Sequence, residues 1–171
     1  MPDYQRLNHK FSPVYNRESR ILILGTFPSV KSREQNFYYG HPQNRFWKVL
    51  AHITGEPLPT TIDEKQQFLL SRRIAIWDVI QSCEIIGSSD SSIRDVVPAD
   101  IKGLLTQTSI AAIFGNGTKA CQLFEKYTAP TLFDFPNWQA IKKLPSTSPA
   151  NASWSLERLC SNWQEHLQPY L

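Results

Sequence analysis

Between residues 25 and 47 the chain gathers side chains suited to holding a flat polar ring. Gly25-Thr26-Phe27-Pro28-Ser29 reads as a Gly-Pro turn that exposes backbone N–H groups. It is followed by Asn36-Phe37-Tyr38-Tyr39-Gly40-His41-Pro42-Gln43-Asn44-Arg45-Phe46-Trp47, which brings aromatic rings, a histidine and amides ahead of a helix start. Aromatic faces beside amide edges suit a heteroaromatic base. Taken on residue type alone, Asn44 reads as a helix N-cap, whose loss costs about 1 kcal/mol. His41, before a proline, is as easily a structural hydrogen-bonding residue as a ligand, and Phe46 and Trp47 read as core.

Three further segments carry polar groups at the ends of apolar runs. Asp78 follows Ile74-Ala75-Ile76-Trp77 and either caps the next turn or presents a carboxylate. Gly115-Asn116-Gly117-Thr118-Lys119-Ala120 follows another apolar run and opens a helix, where free N–H groups, the helix dipole and Lys119 favour a phosphate, although a tight structural turn needs the same residues. Its glycines lack the spacing of a nucleotide-triphosphate P-loop. Pro145-Ser146-Thr147-Ser148-Pro149-Ala150-Asn151 is a hydroxyl-rich loop before the last helical stretch. Asp90 and Asp95 fall in a polar loop and read as solvated, and Glu34 as a surface charge.

The elements that position these residues follow from pattern. Buried strands are expected at 20–24, 74–77, 110–114 and 139–144, the first an apolar run of strand length ended by Gly and Pro signals and the others less clean, each leading into a polar or Gly/Pro-rich loop. Helices are expected at 44–54, 61–71, 98–107, 117–127 and 153–167, the last with an apolar stripe of Trp154, Leu156, Leu159, Cys160, Trp163 and Leu167. Strands alternating with helices predict an α/β fold, a parallel sheet covered on both faces, with ligands bound beyond the carboxyl ends of the strands. Residues 87–92 read as a mobile loop.

With 171 residues, 41% of them hydrophobic, the chain suits a single domain spanning 1–171. No apolar run approaches bilayer length and the first residues lack a secretion pattern, so a soluble cytoplasmic protein is expected. Cys83, Cys121 and Cys160 are widely separated, which argues for buried free thiols over a zinc site, an iron–sulfur centre or a disulfide framework. A net charge of +3 is compatible with DNA, but the basic residues are dispersed, so any nucleic acid must be held largely by a shaped surface.

Gly25-x-x-Pro28-Ser29 followed by the string from Phe37 to Val49 closely resembles the first motif of the mismatch-specific members of the uracil-DNA glycosylase superfamily, and Leu144-Pro145-Ser146-Thr147-Ser148-Pro149 running into Ser155-Leu156-Glu157-Arg158-Leu159 resembles the second. The resemblance implies a three-layer α/β/α sandwich around a four-stranded parallel sheet, a flipped base between the two motifs, and no metal or other cofactor. One departure bears on mechanism. Where uracil-directed relatives place a water-activating Asn or Asp two residues after the glycine, this chain has Phe27, which can neither orient nor deprotonate water. The Tyr-Tyr-x-His-Pro-x-Asn string beside an apolar residue resembles the hypoxanthine-DNA (deoxyinosine) glycosylase family, and the asparagine essential there corresponds to Asn44.

The resemblance therefore implies a monofunctional base-excision repair glycosylase acting on DNA that contains a deaminated base, most simply hypoxanthine, as a monomer. Asn44 would hold water through its carbonyl or donate to the leaving base, with Asp78 offsetting positive charge on the sugar. Phe37 or Tyr38 would stack on the base, with Gly25, Phe27 and His41 around it. Ser29, Asn116, Lys119 and the Pro145-Ser146-Thr147-Ser148 loop would meet the DNA backbone. No lysine lies in the first-motif loop beside Asn44 to form a Schiff base. Two alternatives stay open: a mismatch-specific uracil or thymine glycosylase, and a catalytically silent binder of damaged DNA.

Overall fold

The computed structural model describes residues 3–135 and 140–171. At its centre is β2 (Ile21–Gly25), in which Ile21 and Ile23 point to one face and Leu22 and Leu24 to the other, all four fully buried. β3 (Ile74–Asp78) and β6 (Ala112–Asn116) pair with it in parallel, and β7 (Lys142–Leu144) extends the sheet, in the order β3-β2-β6-β7. A strand buried on both faces needs apolar residues at nearly every position, and β2, β3 and β6 were recognisable for that reason, whereas β7 is Lys-Lys-Leu and buries only Leu144. The expected start of the last strand, Gln139, lies outside the described residues.

Helices cover both faces. α2 (Phe46–Thr54), α3 (Ile62–Ser71) and α6 (Leu156–Leu167) pack Phe46, Leu50, Leu69 and Trp163 onto the Ile21/Ile23 face. α4 (Ile101–Thr106) and α5 (Thr118–Leu123) pack Ile101, Leu104 and Leu123 on the Leu22/Leu24 face. The result is the expected mixed α/β architecture around a four-stranded parallel sheet. α3 starts at a reciprocal capping box between Thr61 and Glu64, and α6 at Ser155, whose hydroxyl accepts from Arg158 N–H.

A second, antiparallel sheet was not expected. β1 (Gln5–Asn8), β4 (Ile80–Ile85) and β5 (Arg94–Pro98) pair in the order β1-β4-β5. β1 and β5 are largely exposed and β4 is Ile-Gln-Ser-Cys-Glu-Ile, so none shows a continuous apolar run. β5 also moves the start of the helix expected at 98–107 to Ile101, where Asp100 accepts from Gly103 N–H. A short helix, α1 (Val30–Gln35), follows the first motif, capped by the Ser29 side chain. Within 87–92, Ser92 Oγ accepts from Ile86 N–H and ties the loop to the sheet. Cys83 and Cys160 are buried and Cys121 half-buried, all as free thiols. Among the described residues no helix is long and apolar enough to cross a membrane.

Candidate active site

Strand register brings the chemistry together. Gly25 pairs with Asp78 and Leu24 with Gly115, so Gly25, Asp78 and Asn116 reach the same carboxyl edge of the sheet. Over that edge lies a cleft of about 510 Å³, within the roughly 300–1,000 Å³ range of ligand sites. Phe27 and Asn44 enter it from the first motif, Thr147 from the second, and Gly25, Asp78 and Asn116 from the strands.

The amide of Asn44 is held in one orientation by a chain that begins at the backbone. Thr147 N–H donates to Asn116 Oδ1 at 3.1 Å, which fixes that amide. Asn116 Nδ2 then donates to Thr147 Oγ1 at 3.0 Å, and the hydroxyl, having accepted, donates to Asn44 Oδ1 at 2.9 Å. Phe46 N–H donates to the same Oδ1 at 2.9 Å. Both lone pairs of the Asn44 carbonyl are taken, and its Nδ2 is left as a donor without a protein partner among the described residues, in a side chain lining the cleft. Asn44, one position ahead of the N-cap Arg45, thus satisfies the first N–H of α2 and presents an N–H donor at once. The alternative of a water held by its carbonyl does not fit this arrangement.

The second-motif loop is clamped from beneath. The guanidinium of Arg45, one residue before α2, donates to the carbonyls of Ser148 at 2.9 Å and Asn151 at 3.1 Å, and also to those of Thr147 and Trp154. Arg45 N–H adds a bond to Thr147 O at 3.1 Å, and the indole of buried Trp163 donates to Pro145 O at 2.9 Å. A side chain at Gly117, which has φ +97°, would press on Ser146. No local pattern signals this clamp, because Arg45 reads in the sequence only as part of a helix start.

His9 was also missed. It lies just beyond β1, and its Nε2 meets Asp78 Oδ2 at 2.8 Å, with the two side chains 1% and 6% exposed. His9 Nδ1 has no hydrogen-bond partner among the described residues. A buried second ring N–H would lack an acceptor, which favours a ring carrying one proton, given from Nε2 to the carboxylate. The other oxygen, Asp78 Oδ1, lies against Gly25, where a Cβ would sit 2.4 Å from it and 3.2 Å from Tyr39 Oη. Only glycine leaves room for both groups. Burial, and then the Asp78 charge, push the Tyr39 phenol well above its ordinary ionisation, Asn116 opposing; burial, Asp78 and Tyr39 do the same to Tyr38.

The remaining sequence candidates divide. Phe37 is core, stacked on Trp47 with ring centroids 6.1 Å apart, and it does not line the cleft. Tyr38 reaches the cleft but is 2% exposed, its hydroxyl donating to Ser12 O at 2.9 Å. Phe27 is a half-buried ring on the cleft wall, so it is better placed than Phe37 to face a base. His41 lines the cleft with Nδ1 accepting from Gln43 N–H, and Ser29, Ser146 and Ser148 line it as well. Pro145 belongs to an adjoining groove, and Lys119, half-buried on α5, lines neither. Lys31 of α1 does line the cleft, 3.5 Å from Glu34. Asp90 lines both the cleft and the adjoining groove; burial raises its carboxyl above the usual range, Lys119 opposes and the Asp78 charge adds to it.

The chain is similar to known proteins over most of its length. Residues 12–168 match the family model described as the Uracil DNA glycosylase superfamily. A hypoxanthine DNA glycosylase from Methanosarcina acetivorans is 35% identical over 156 residues, covering 90% of this chain and 94% of the relative. A hypoxanthine DNA glycosylase from Methanosarcina barkeri is 37% identical over 86 residues, half of this chain. The solution NMR structure of a Methanosarcina acetivorans protein described as a candidate uracil DNA glycosylase superposes with a TM-score of 0.76 at 35% identity, covering 92% of this chain and 96% of that one.

Proposed function

This chain belongs to the uracil DNA glycosylase superfamily, and from that premise we propose that it hydrolyses the N-glycosidic bond of a deaminated base in DNA, hypoxanthine above all, with Asn44 as the catalytic donor. The observation that carries the reading is the Asn44 amide locked with Nδ2 as its free group. As the C1′–N9 bond breaks, the electron pair stays with the base, so negative charge grows on the purine while the sugar becomes cationic. A fixed N–H donor aimed at that charge lowers the barrier without reorganising, and one such donor is typically worth about 10²–10³ in rate. Water then bonds to C1′ and its proton ends on the released base. Phe27 supplies a flat face in a cleft of the right size for an extruded purine.

One domain acting as a monomer in the cytosol suffices for this reading, since both motifs come from the same chain and meet through Asn44 and Thr147. The reaction ends at an abasic site. Lys31 on the cleft wall makes the distinction from a lyase worth measuring. A duplex with one deoxyinosine should break at that position only after alkali. An intact strand after alkali sinks the reading, and breakage without alkali sinks its monofunctional part. Uracil and thymine mismatches run alongside test the mismatch-specific alternative.

A further inference from the structure

Asp78 has a feature that cleavage chemistry does not require: one of its oxygens is occupied and the other is not. Oδ2 is held by His9 at 2.8 Å in a pair almost sealed from solvent. Oδ1 makes no hydrogen bond among the described residues and lies over Gly25, in a residue lining the cleft. Tyr39 Oη shares that spot without a hydrogen bond of normal geometry, and its raised ionisation keeps it a neutral phenol. The floor of the cleft therefore offers a ligand one strong acceptor, in a fixed place.

Resting on the glycosylase reading, we infer that Asp78 Oδ1 is the base reader, accepting the ring N–H that deamination creates, and that His9 is the positioning residue that keeps the carboxylate single-handed. Deamination of adenine or cytosine turns an unprotonated ring nitrogen into an N–H beside a carbonyl. A carboxylate pairs with that N–H and repels the lone pair of the parent base, which is discrimination by charge as well as by shape. Guanine carries the same ring N–H and an adjacent amino group, and a free carboxylate would take both with its two oxygens. With Oδ2 occupied by His9, the guanine amino group would be desolvated without a partner, a situation that sites built on hydrogen bonds reject strongly. This role differs from offsetting charge on the sugar, which would affect every base alike.

The test measures binding to duplexes whose target nucleotide carries a 2′-fluoroarabino sugar, which resists cleavage, with hypoxanthine, adenine or guanine as the base. Each variant is compared with wild type on the same DNA, so differences in duplex opening cancel. Asp78→Asn is expected to weaken the hypoxanthine duplex about 10- to 100-fold while leaving the adenine duplex unchanged or tighter. His9→Ala, which frees Oδ2, is expected to narrow the margin of hypoxanthine over guanine. Gly25→Ala, whose Cβ would displace Oδ1, keeps the question answerable if the buried pair proves necessary for folding; it should reproduce the Asp78→Asn loss. Equal weakening on all three duplexes, or none, overturns the inference. Base release from deoxyinosine by wild type is scored separately. Release with uniform weakening sinks the base reader alone, and discrimination in binding without release sinks the glycosylase alone.

Discussion

Thr147 Oγ1 lies 2.9 Å from Asn44 Oδ1 across a sequence separation of 103 residues, and this bond joins the two motifs of the site. Its direction is set by Asn116, which receives Thr147 N–H and returns its own Nδ2 to the hydroxyl. A buried Thr147 on a clamped loop thus decides which end of the Asn44 amide faces the cleft. The geometry separates two roles of Asn44, and substitutions can separate them too.

Asn44→Asp keeps an oxygen for Phe46 N–H and Thr147 Oγ1 and removes the free donor. Release of hypoxanthine should fall about 10²–10³-fold with thermal stability nearly unchanged. Asn44→Ala should lose a similar factor and, in addition, about 1 kcal/mol of stability as Phe46 N–H at the start of α2 loses its acceptor. Single-turnover base release and urea unfolding on the same preparations check both. An Asn44→Asp protein with normal release would show that the donor is not the working group.

Thr147→Val preserves shape and removes the hydroxyl, leaving Asn116 Nδ2 and one Asn44 lone pair unpaired. The expected cost is roughly 1–3 kcal/mol in stability, and release should slow about tenfold as the Asn44 amide gains freedom to turn. Thr147→Ser restores the hydroxyl and should recover most of the rate. A Thr147→Ser protein no faster than Thr147→Val would mean that packing, and not the hydrogen bond, matters here.

How much of this was legible in the sequence depends on the range of the interaction. The strands β2, β3 and β6 could be read because burial on both faces leaves an apolar run, β7 only from its place ahead of Pro145-Ser146, and Asn44, Asn116 and Thr147 because each sits in a short motif at a strand or helix end. The direction of the aromatic rings could not. Asn36 and Tyr39 adopt φ of 57° and 53°, which turns the loop so that Phe37 goes to the core and Tyr39 stacks on Phe46, centroids 3.9 Å apart. His9 was invisible for another reason: it follows an exposed strand of polar residues, and its partner is 69 positions away. No local pattern encodes such a pair.

Arg45 tests whether the second-motif loop must be held still. Lysine has no planar fork with which to reach several carbonyls at once, so Arg45→Lys should release the loop around Ser148 and Asn151. Backbone amides of residues 146–151 should exchange faster, and stability should fall by roughly 1.5–3 kcal/mol. Arg45 does not line the cleft, so any slowing of base release acts through the loop. Unchanged exchange at 146–151 would remove the clamp from the account.

Tyr38 and Tyr39 give a prediction at alkaline pH. Burial comes first among the causes that raise both phenols above the ordinary value of 10.0, and the Asp78 charge comes second. In the unfolded chain they lose protons near that ordinary value, whereas the folded protein retains them, so above about pH 10 the folded state binds more protons than the unfolded one. By linkage, stability falls as pH rises: the contribution is fully present below about pH 10 and is lost progressively above it, at up to about 1.4 kcal/mol per pH unit for each tyrosine. Phenolate absorbance should therefore appear for these two residues only together with alkaline unfolding. Tyr39→Phe should remove one of the two late ionisations and flatten the decline, and a phenolate signal at Tyr39 in the still-folded protein would contradict its burial beside Asp78.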